Sequence, residues 1–126
     1  MEKQIIATDK APGAIGPYSQ AIRFGSMIYT SGMIPVNPAN GQIPDGIRAQ
    51  VVQAITNLKA VLEAGGSSIE NVMKTTLFIK NMDDFGQINE VYADFFASNP
   101  PSRSCVEAAR LPKDVLIEIE ASAYIE

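Results

Sequence analysis

The chain has 126 residues, 46% of them hydrophobic, so it is long enough for one packed domain spanning 1–126 and too apolar to stay disordered. A net charge of −4 with no run of Lys or Arg argues against a dedicated nucleic-acid or membrane-surface binder, because phosphate binding needs clustered positive charge. The absence of histidine and the single cysteine exclude Ser-His-Asp and Cys-His nucleophile systems, histidine-based ribonuclease chemistry and an internal disulfide, and leave a poor donor set for zinc.

The opening "MEKQIIATDK" lacks the apolar stretch of a signal peptide, and no apolar run approaches a membrane span, so a cytoplasmic protein is expected. Within it, "QIIAT" (4–8) reads as a short strand. "KAPGAIGPYSQ" is a loop broken by Pro12, Gly13, Gly16 and Pro17. "AIRFGSMIYTSG" reads as two strands around a two-residue turn, Gly25-Ser26, with glycine in the first central position. "MIPVNPANGQIPDG" is a long loop with three prolines, of the kind that often carries function.

The spacing predicts a helix over 46–64, with Ile47, Val51, Ala54, Ile55, Leu58, Val61 and Leu62 on one stripe and Gly65-Gly66 closing it. "VMKTTLFIK" (72–80) is a β-branched strand. "DDFGQINEVYADFFA" predicts a second helix, capped by Asp83 or Asp84, with its stripe at Phe85, Ile88, Val91, Tyr92, Phe95 and Phe96; "NPP" stops it. "RSCVEAARLPKDVLIEIEA" (103–121) then reads as a hairpin turning at 111–114.

Two amphipathic helices cover one face of a sheet, giving a two-layer α+β domain. The other face is expected to show Phe78, Tyr124, Leu116, Cys105 and carboxylates. Such a mixed surface suits burial against another subunit, with pockets where polar groups meet.

Strand alternation puts Arg103, Cys105 and Glu107 on one face of their strand, and Leu116, Glu118, Glu120 and Ser122 on one face of the next. Arg103 can make a planar bidentate contact with a ligand carboxylate; the structural reading, an ion pair with Glu118, Glu120 or Glu107, is favoured by pattern alone. Glu118 and Glu120, about 7 Å apart on one face, repel each other. If water is excluded, at least one is pushed towards the neutral form and becomes able to take a proton from water. Cys105 would need Arg103 to activate it, and a lone strand cysteine is more often a small buried wall. The loops at Gly16, Ser31 and Gly32 carry backbone N–H groups that could cradle an anion. No GxxxxGK[ST] or GxGxxG pattern implies a nucleotide cofactor.

Taken together, "APGAIGPYSQA", "YTSGMIPVNP", "NLKAVLEAGG", "VMKTTLFIKNMDDF", "NEVYADFF" and above all "RSCVEAARLPKDVLIEIEA" closely resemble the RidA/YjgF/YER057c family, including its YabJ-like purine-regulatory branch, nearly end to end. The resemblance implies a chorismate-mutase-like α+β fold, assembled as a homotrimer with clefts between subunits. It implies hydrolysis of reactive 2-enamino and 2-imino acids, such as 2-aminoacrylate, to 2-oxo acids and ammonia, with no cofactor and no metal.

Residue by residue, Arg103 matches the arginine that grips the substrate carboxylate, and Glu118 the glutamate that orients the attacking water. Cys105 matches a cleft-lining cysteine, Tyr18 an aromatic wall, Ser31 and Gly32 the loop beside the substrate, and Asn89 a helix residue reaching the cleft. Met33 departs from the pattern, since many relatives carry glutamine after "SG", and is expected at the cleft rim. Two other readings stand beside the deaminase: a non-enzymatic sensor of small carboxylates acting in purine regulation, and an endoribonuclease or translation inhibitor. Zero histidines and a sequence pI of about 4.8 oppose the last of these.

Overall fold

A computed structural model describes residues 2–126. Six strands form one sheet: β1 (Gln4–Ile6), β2 (Ala21–Phe24), β3 (Met27–Thr30), β4 (Val72–Ile79), β5 (Ser102–Glu107) and β6 (Ile117–Tyr124). Two helices, α1 (Ile47–Ala64) and α2 (Phe85–Phe96), lie on the same face of it, giving the expected mixed α+β layers. The sheet order is β1-β2-β3-β6-β4-β5. Every neighbouring pair is antiparallel except β4 and β5.

That order corrects the hairpin expected at 103–121. β5 and β6 do not pair; β4 lies between them, antiparallel to β6 and parallel to β5. The physical reason is α2, which carries the chain from the end of β4 back to the start of β5, as a parallel pair requires. The β2–β3 turn is as read, with Gly25 at φ 60, a value that favours glycine.

The core forms where one face of each central strand meets the helix stripes. From β4 and β6 come Thr75, Leu77, Ile79, Ile117, Ile119, Ala121 and Ala123, and all seven predicted stripe positions of α1 are buried. On α2 the buried positions are Ile88, Val91, Tyr92 and Phe96. Its start is capped by neither aspartate: Asn81 Oδ1 accepts from Asp83 N–H at 2.9 Å, and a short 3₁₀ turn (Met82–Asp84) leads in. Asn81 stands one residue before that turn, where its oxygen reaches the free amide.

The opposite face carries Ile5, Phe24, Tyr29, Val106 and Tyr124, all exposed large apolar side chains that the strand registers place on one side of the sheet. Phe78, Glu118 and Glu120 share it, as expected. Cys105 and Leu116 do not: both are partly buried against the helix-side core. Among the described residues no helix is long and apolar enough to cross a membrane.

Buried amides hold the two long loops. Asn57, fully buried on α1, donates from Nδ2 to Ile34 O (3.0 Å) and Val36 O (2.9 Å). Gln50 donates from Nε2 to Pro44 O at 3.0 Å and accepts from Leu116 N–H at 2.8 Å. Gln20 closes the earlier loop: its Nε2 donates to Thr8 O (3.0 Å) and Pro12 O (2.8 Å), while Thr8 N–H donates to its Oε1 (2.7 Å). Asn57→Ala leaves two loop carbonyls without their donor, and is expected to cost about 2–4 kcal/mol of stability in denaturant unfolding; a loss below about 0.5 kcal/mol would show that the loop does not depend on this amide.

Candidate active site

The predicted site residues fall into two groups on opposite sides of the sheet. Arg103 and Cys105 pair with Thr75 and Leu77 of β4, whose side chains enter the helix-side core. Glu118 and Glu120 pair with Phe78 and Thr76, which face the other way. Two strand spacings and the sheet itself therefore separate Arg103 from Glu118 within one chain.

On the helix side, the Arg103 guanidinium lies 4.8 Å from the ring centre of Tyr92 and 5.4 Å from that of Phe85. Both rings are on α2, seven residues apart, so they share a face, and Asn89 lies between them on that face. The Tyr92 hydroxyl shares a 2.7 Å hydrogen bond with Thr75 Oγ1, and its ring stacks on Phe96 with centroids 4.5 Å apart. The ion pair expected from pattern alone is absent: among the described residues Arg103 has no carboxylate within salt-bridge distance. Glu107 instead accepts from Met82 N–H at 2.8 Å, and Glu118 and Glu120 are across the sheet. Aromatic faces hold a cation through their quadrupole and leave its N–H fork free. Burial pushes the Cys105 thiol up from its ordinary value, and Arg103 only partly offsets this, so the thiol is kept protonated and is no ready nucleophile.

On the open side, Tyr18, Ser31, Gly32, Glu118 and Glu120 line one cavity of about 420 Å³, with Ile15, Ile34 and Pro112 completing it. The "TSG" loop reaches β6 through a two-bond bridge: Met33 N–H donates to Ile119 O at 2.7 Å, and Ile119 N–H donates to Met33 O at 3.1 Å. That bridge sets Gly32 against Glu118, and a Cβ at Gly32 would stand 2.6 Å from the Glu118 carboxyl carbon. A side chain at this position would push the carboxylate out of its place.

Met33 itself is 4% exposed and packs in the core; it is not at the rim of this cavity. Ser31 N–H is also not an open anion donor, since it donates to Gln20 O at 2.9 Å, and Ser31 Oγ donates to Ser19 O at 2.6 Å. Burial, and secondarily the like charge of Glu120, raise the Glu118 pKa above the usual carboxylate value. Gln20, Phe85 and Tyr92 are positioning groups that the sequence reading did not single out as such. Phe85 and Tyr92 appeared only as core stripe; their one findable signal is the spacing that also carries Asn89.

The fold agrees with that of one class of small α+β proteins. A profile described as Endoribonuclease L-PSP matches residues 8–125. The chain belongs to that family, the RidA/YjgF family. It is 52% identical over 121 residues, 94% of each chain, to the 2-iminobutanoate/2-iminopropanoate deaminase of Escherichia coli (strain K12). Among solved structures it is similar to E. coli TdcF with bound serine (49% identity, TM-score 0.94, covering 98% of this chain and 99% of that one). It is equally similar in fold to a putative endoribonuclease of Thermotoga maritima (47%, TM-score 0.95, covering 100% and 99%). The family's names thus divide between imine deaminase and endoribonuclease.

The raised Glu118 pKa has a consequence for stability. A carboxyl whose folded pKa lies above its unfolded one favours folding while protonated, and that contribution is lost as pH rises through the folded value. Glu118→Gln keeps the shape without the charge. It is expected to raise Tm near neutral pH and to lose that advantage below the carboxylate range, as read by thermal melts at the two pH values. A lower Tm at neutral pH would mean that the ionised carboxylate is satisfied where it stands.

Proposed function

We propose that the protein hydrolyses 2-imino and 2-enamino acids to 2-oxo acids and ammonia, in clefts between the subunits of a homotrimer, with Arg103 of one copy facing Glu118 of the next. The observation that carries this reading is the pair of complementary half-sites: a guanidinium with no carboxylate partner among the described residues, and a carboxyl with a raised pKa on the far side of the same sheet. Neither half suffices alone, and one chain cannot bring them together. The exposed apolar stripe through Phe24, Tyr29 and Tyr124, on the Glu118 face, supports a second copy covering it. The serine bound to E. coli TdcF, a relative of the same fold, supports a small carboxylate-bearing ligand here.

The chemistry follows from the residues. An enamine tautomerises to the imine, whose carbon is already electrophilic. Arg103 holds the substrate carboxylate with its planar fork. Glu118 takes a proton from water as the water oxygen bonds to the imine carbon, and returns that proton to the nitrogen, giving a carbinolamine. The same carboxylate then moves the hydroxyl proton to nitrogen; the C–N bond breaks, ammonia leaves and the carbonyl forms. Tyr18 and the neutral Cys105 serve as walls, with Ser31, Gly32 and Asn89 beside the substrate. Orientation and electrostatics supply the acceleration.

The sensor and endoribonuclease readings have less support. Net charge is −4 and no histidine is present, so an RNA cleavage site lacks both a phosphate-binding patch and the usual proton carrier.

A coupled assay tests the reading: a pyridoxal-phosphate dehydratase generates 2-aminoacrylate in situ and pyruvate release is followed with and without this protein. Acceleration is expected; release at the spontaneous rate for several imino acids removes the enzyme reading. Arg103→Lys is expected to cost about 2–5 kcal/mol in kcat/KM, and Glu118→Gln to lose most activity, while Cys105→Ala keeps most of it.

Because the half-sites come from different copies, co-refolding Arg103→Lys with Glu118→Gln at equal amounts should rebuild about a quarter of the sites. No recovery on mixing, with a trimer seen by sedimentation equilibrium, would place both residues of each site on one chain and contradict the shared cleft.

The pH profile of kcat/KM should have an acidic limb set by Glu118, above the ordinary carboxylate value. Glu120→Gln removes the like charge, so that limb is expected to move to lower pH. An unmoved limb would assign it to another group.

A further inference from the structure

Thr75 puts a hydroxyl in an apolar place. It sits in the middle of β4, fully buried, with Ala121 of β6 opposite it on one side and Arg103 of β5 on the other. Leu77 and Ile79 follow it on the same side of the strand, both fully buried. Valine has nearly the same shape and would fill this space without a polar atom to satisfy. The hydroxyl instead makes the 2.7 Å hydrogen bond with the Tyr92 hydroxyl, which crosses from the sheet to α2. Among the described residues no buried polar side-chain atom lacks a partner, so this bond satisfies both groups at once.

Tyr92 is the better fixed of the two rings that seat Arg103. Its hydroxyl is tied to Thr75, its ring stacks on Phe96, and the residue is buried. Phe85, the first residue of α2, is only partly buried. Burial raises the Tyr92 pKa, with Thr75 and Arg103 only partly opposing it, so the ring carries a protonated hydroxyl and no charge. The guanidinium also stands nearer to Tyr92, 4.8 Å from its ring centre against 5.4 Å for Phe85. With no carboxylate within salt-bridge distance among the described residues, the direction of its N–H fork is set by where these rings stand. Thr75, Tyr92 and Arg103 thus close a triangle. The first and third are paired strand neighbours, and the second spans them from the helix.

We propose that Thr75 is a positioning residue for the carboxylate site: its hydroxyl fixes the Tyr92 ring, and through that ring the aim of the Arg103 fork at the substrate carboxylate. The inference rests on the role proposed above for Arg103 and adds the buried group that directs it. Thr75 itself touches no substrate. A bidentate contact needs two N–H groups in line with two oxygens, so a ring free to tilt costs one arm of the fork before it costs the charge. The carboxylate is bound alike before and during the reaction, so the loss falls on KM more than on kcat.

The test measures binding and turnover separately in a set of core variants. Calorimetry with pyruvate reads the affinity for a small carboxylate, and the coupled assay with 2-aminoacrylate reads KM and kcat. Thr75→Val keeps the volume and removes the hydroxyl; it should weaken pyruvate binding and raise KM about tenfold, with kcat changed much less. Tyr92→Phe cuts the same bond from its other end and should do the same. Thr75→Ser keeps the hydroxyl and should bind pyruvate several-fold more tightly than Thr75→Val, although it removes a core methyl. With Thr75→Val and Tyr92→Phe combined, neither hydroxyl is left unpaired, so Tm should recover relative to the single variants while the affinity stays low. Ile79→Val, on the same strand, lowers Tm by removing a buried methylene and should leave the pyruvate affinity as it is. Wild-type affinity in Thr75→Val, or affinity that tracks Tm across the whole set, makes Thr75 a packing residue only and leaves the deaminase reading standing. The calorimetric arm does not depend on turnover, so it decides the role of Thr75 even where no imine is hydrolysed. A wild-type protein that binds no pyruvate and accelerates no imine hydrolysis removes both.

Discussion

The pairing of β6 with β4 is the constraint on which the rest of the structure depends. Seven residue pairs, from Val72–Ala123 to Ile79–Ile117, fix the register in the middle of the sheet. With a side-chain period of two, that register sends Ile117, Ile119 and Ala121 towards α1 and turns Glu118 and Glu120 outward. A slip of one residue would drive two carboxylates into the core and expose two isoleucines. The same pairing occupies the side of β4 nearest β6, so β5 must take the other side and becomes the sheet edge. Arg103 arrives there facing α2. The division of polar groups between two faces is thus a result of strand order, not of loop placement.

Around that sheet, function-bearing loops are held by amides and not by a core of their own. Gln20, Gln50 and Asn57 are each at most 6% exposed, and each bonds to loop backbone, Asn57 through its Nδ2 while its Oδ1 accepts from Gln53 Nε2. Each satisfies carbonyl or N–H groups that would otherwise be buried without partners. The loops thereby gain a fixed path while their outer surfaces stay open to ligands. Met33 joins this scheme through its backbone bridge to Ile119, which is why its side chain is internal despite standing next to Gly32.

Periodicity made most elements legible. The α1 stripe, the β2–β3 turn and the order of strands and helices agree with the sequence reading, because each is set by local pattern. Pairing partners are not local. "RSCVEAARLPKDVLIEIEA" has two strand-like runs and a turn between them, and nothing in those residues says that β4 separates the strands. The signal that could have shown it was the strand–helix–strand order of β4, α2 and β5, which asks for a parallel pair. Asn57 was missed because a polar residue on a helix reads as surface, although it falls between Ala54 and Val61 on the buried stripe. For the site, residue types were legible and relative placement was not: Arg103 and Glu118 are close in the chain and lie on opposite sides of the sheet.

The aromatic seat of Arg103 has a further effect on how the molecule meets its surroundings. A cation gripped by Phe85 and Tyr92, with no carboxylate within salt-bridge distance among the described residues, keeps its N–H fork open to anions from outside the chain. It also attracts counterions at all times. In water that holds chloride, bicarbonate and phosphate, such a site is shared among whatever anions are abundant, and an incoming ligand must displace them. Its apparent grip on a carboxylate therefore weakens as ionic strength rises.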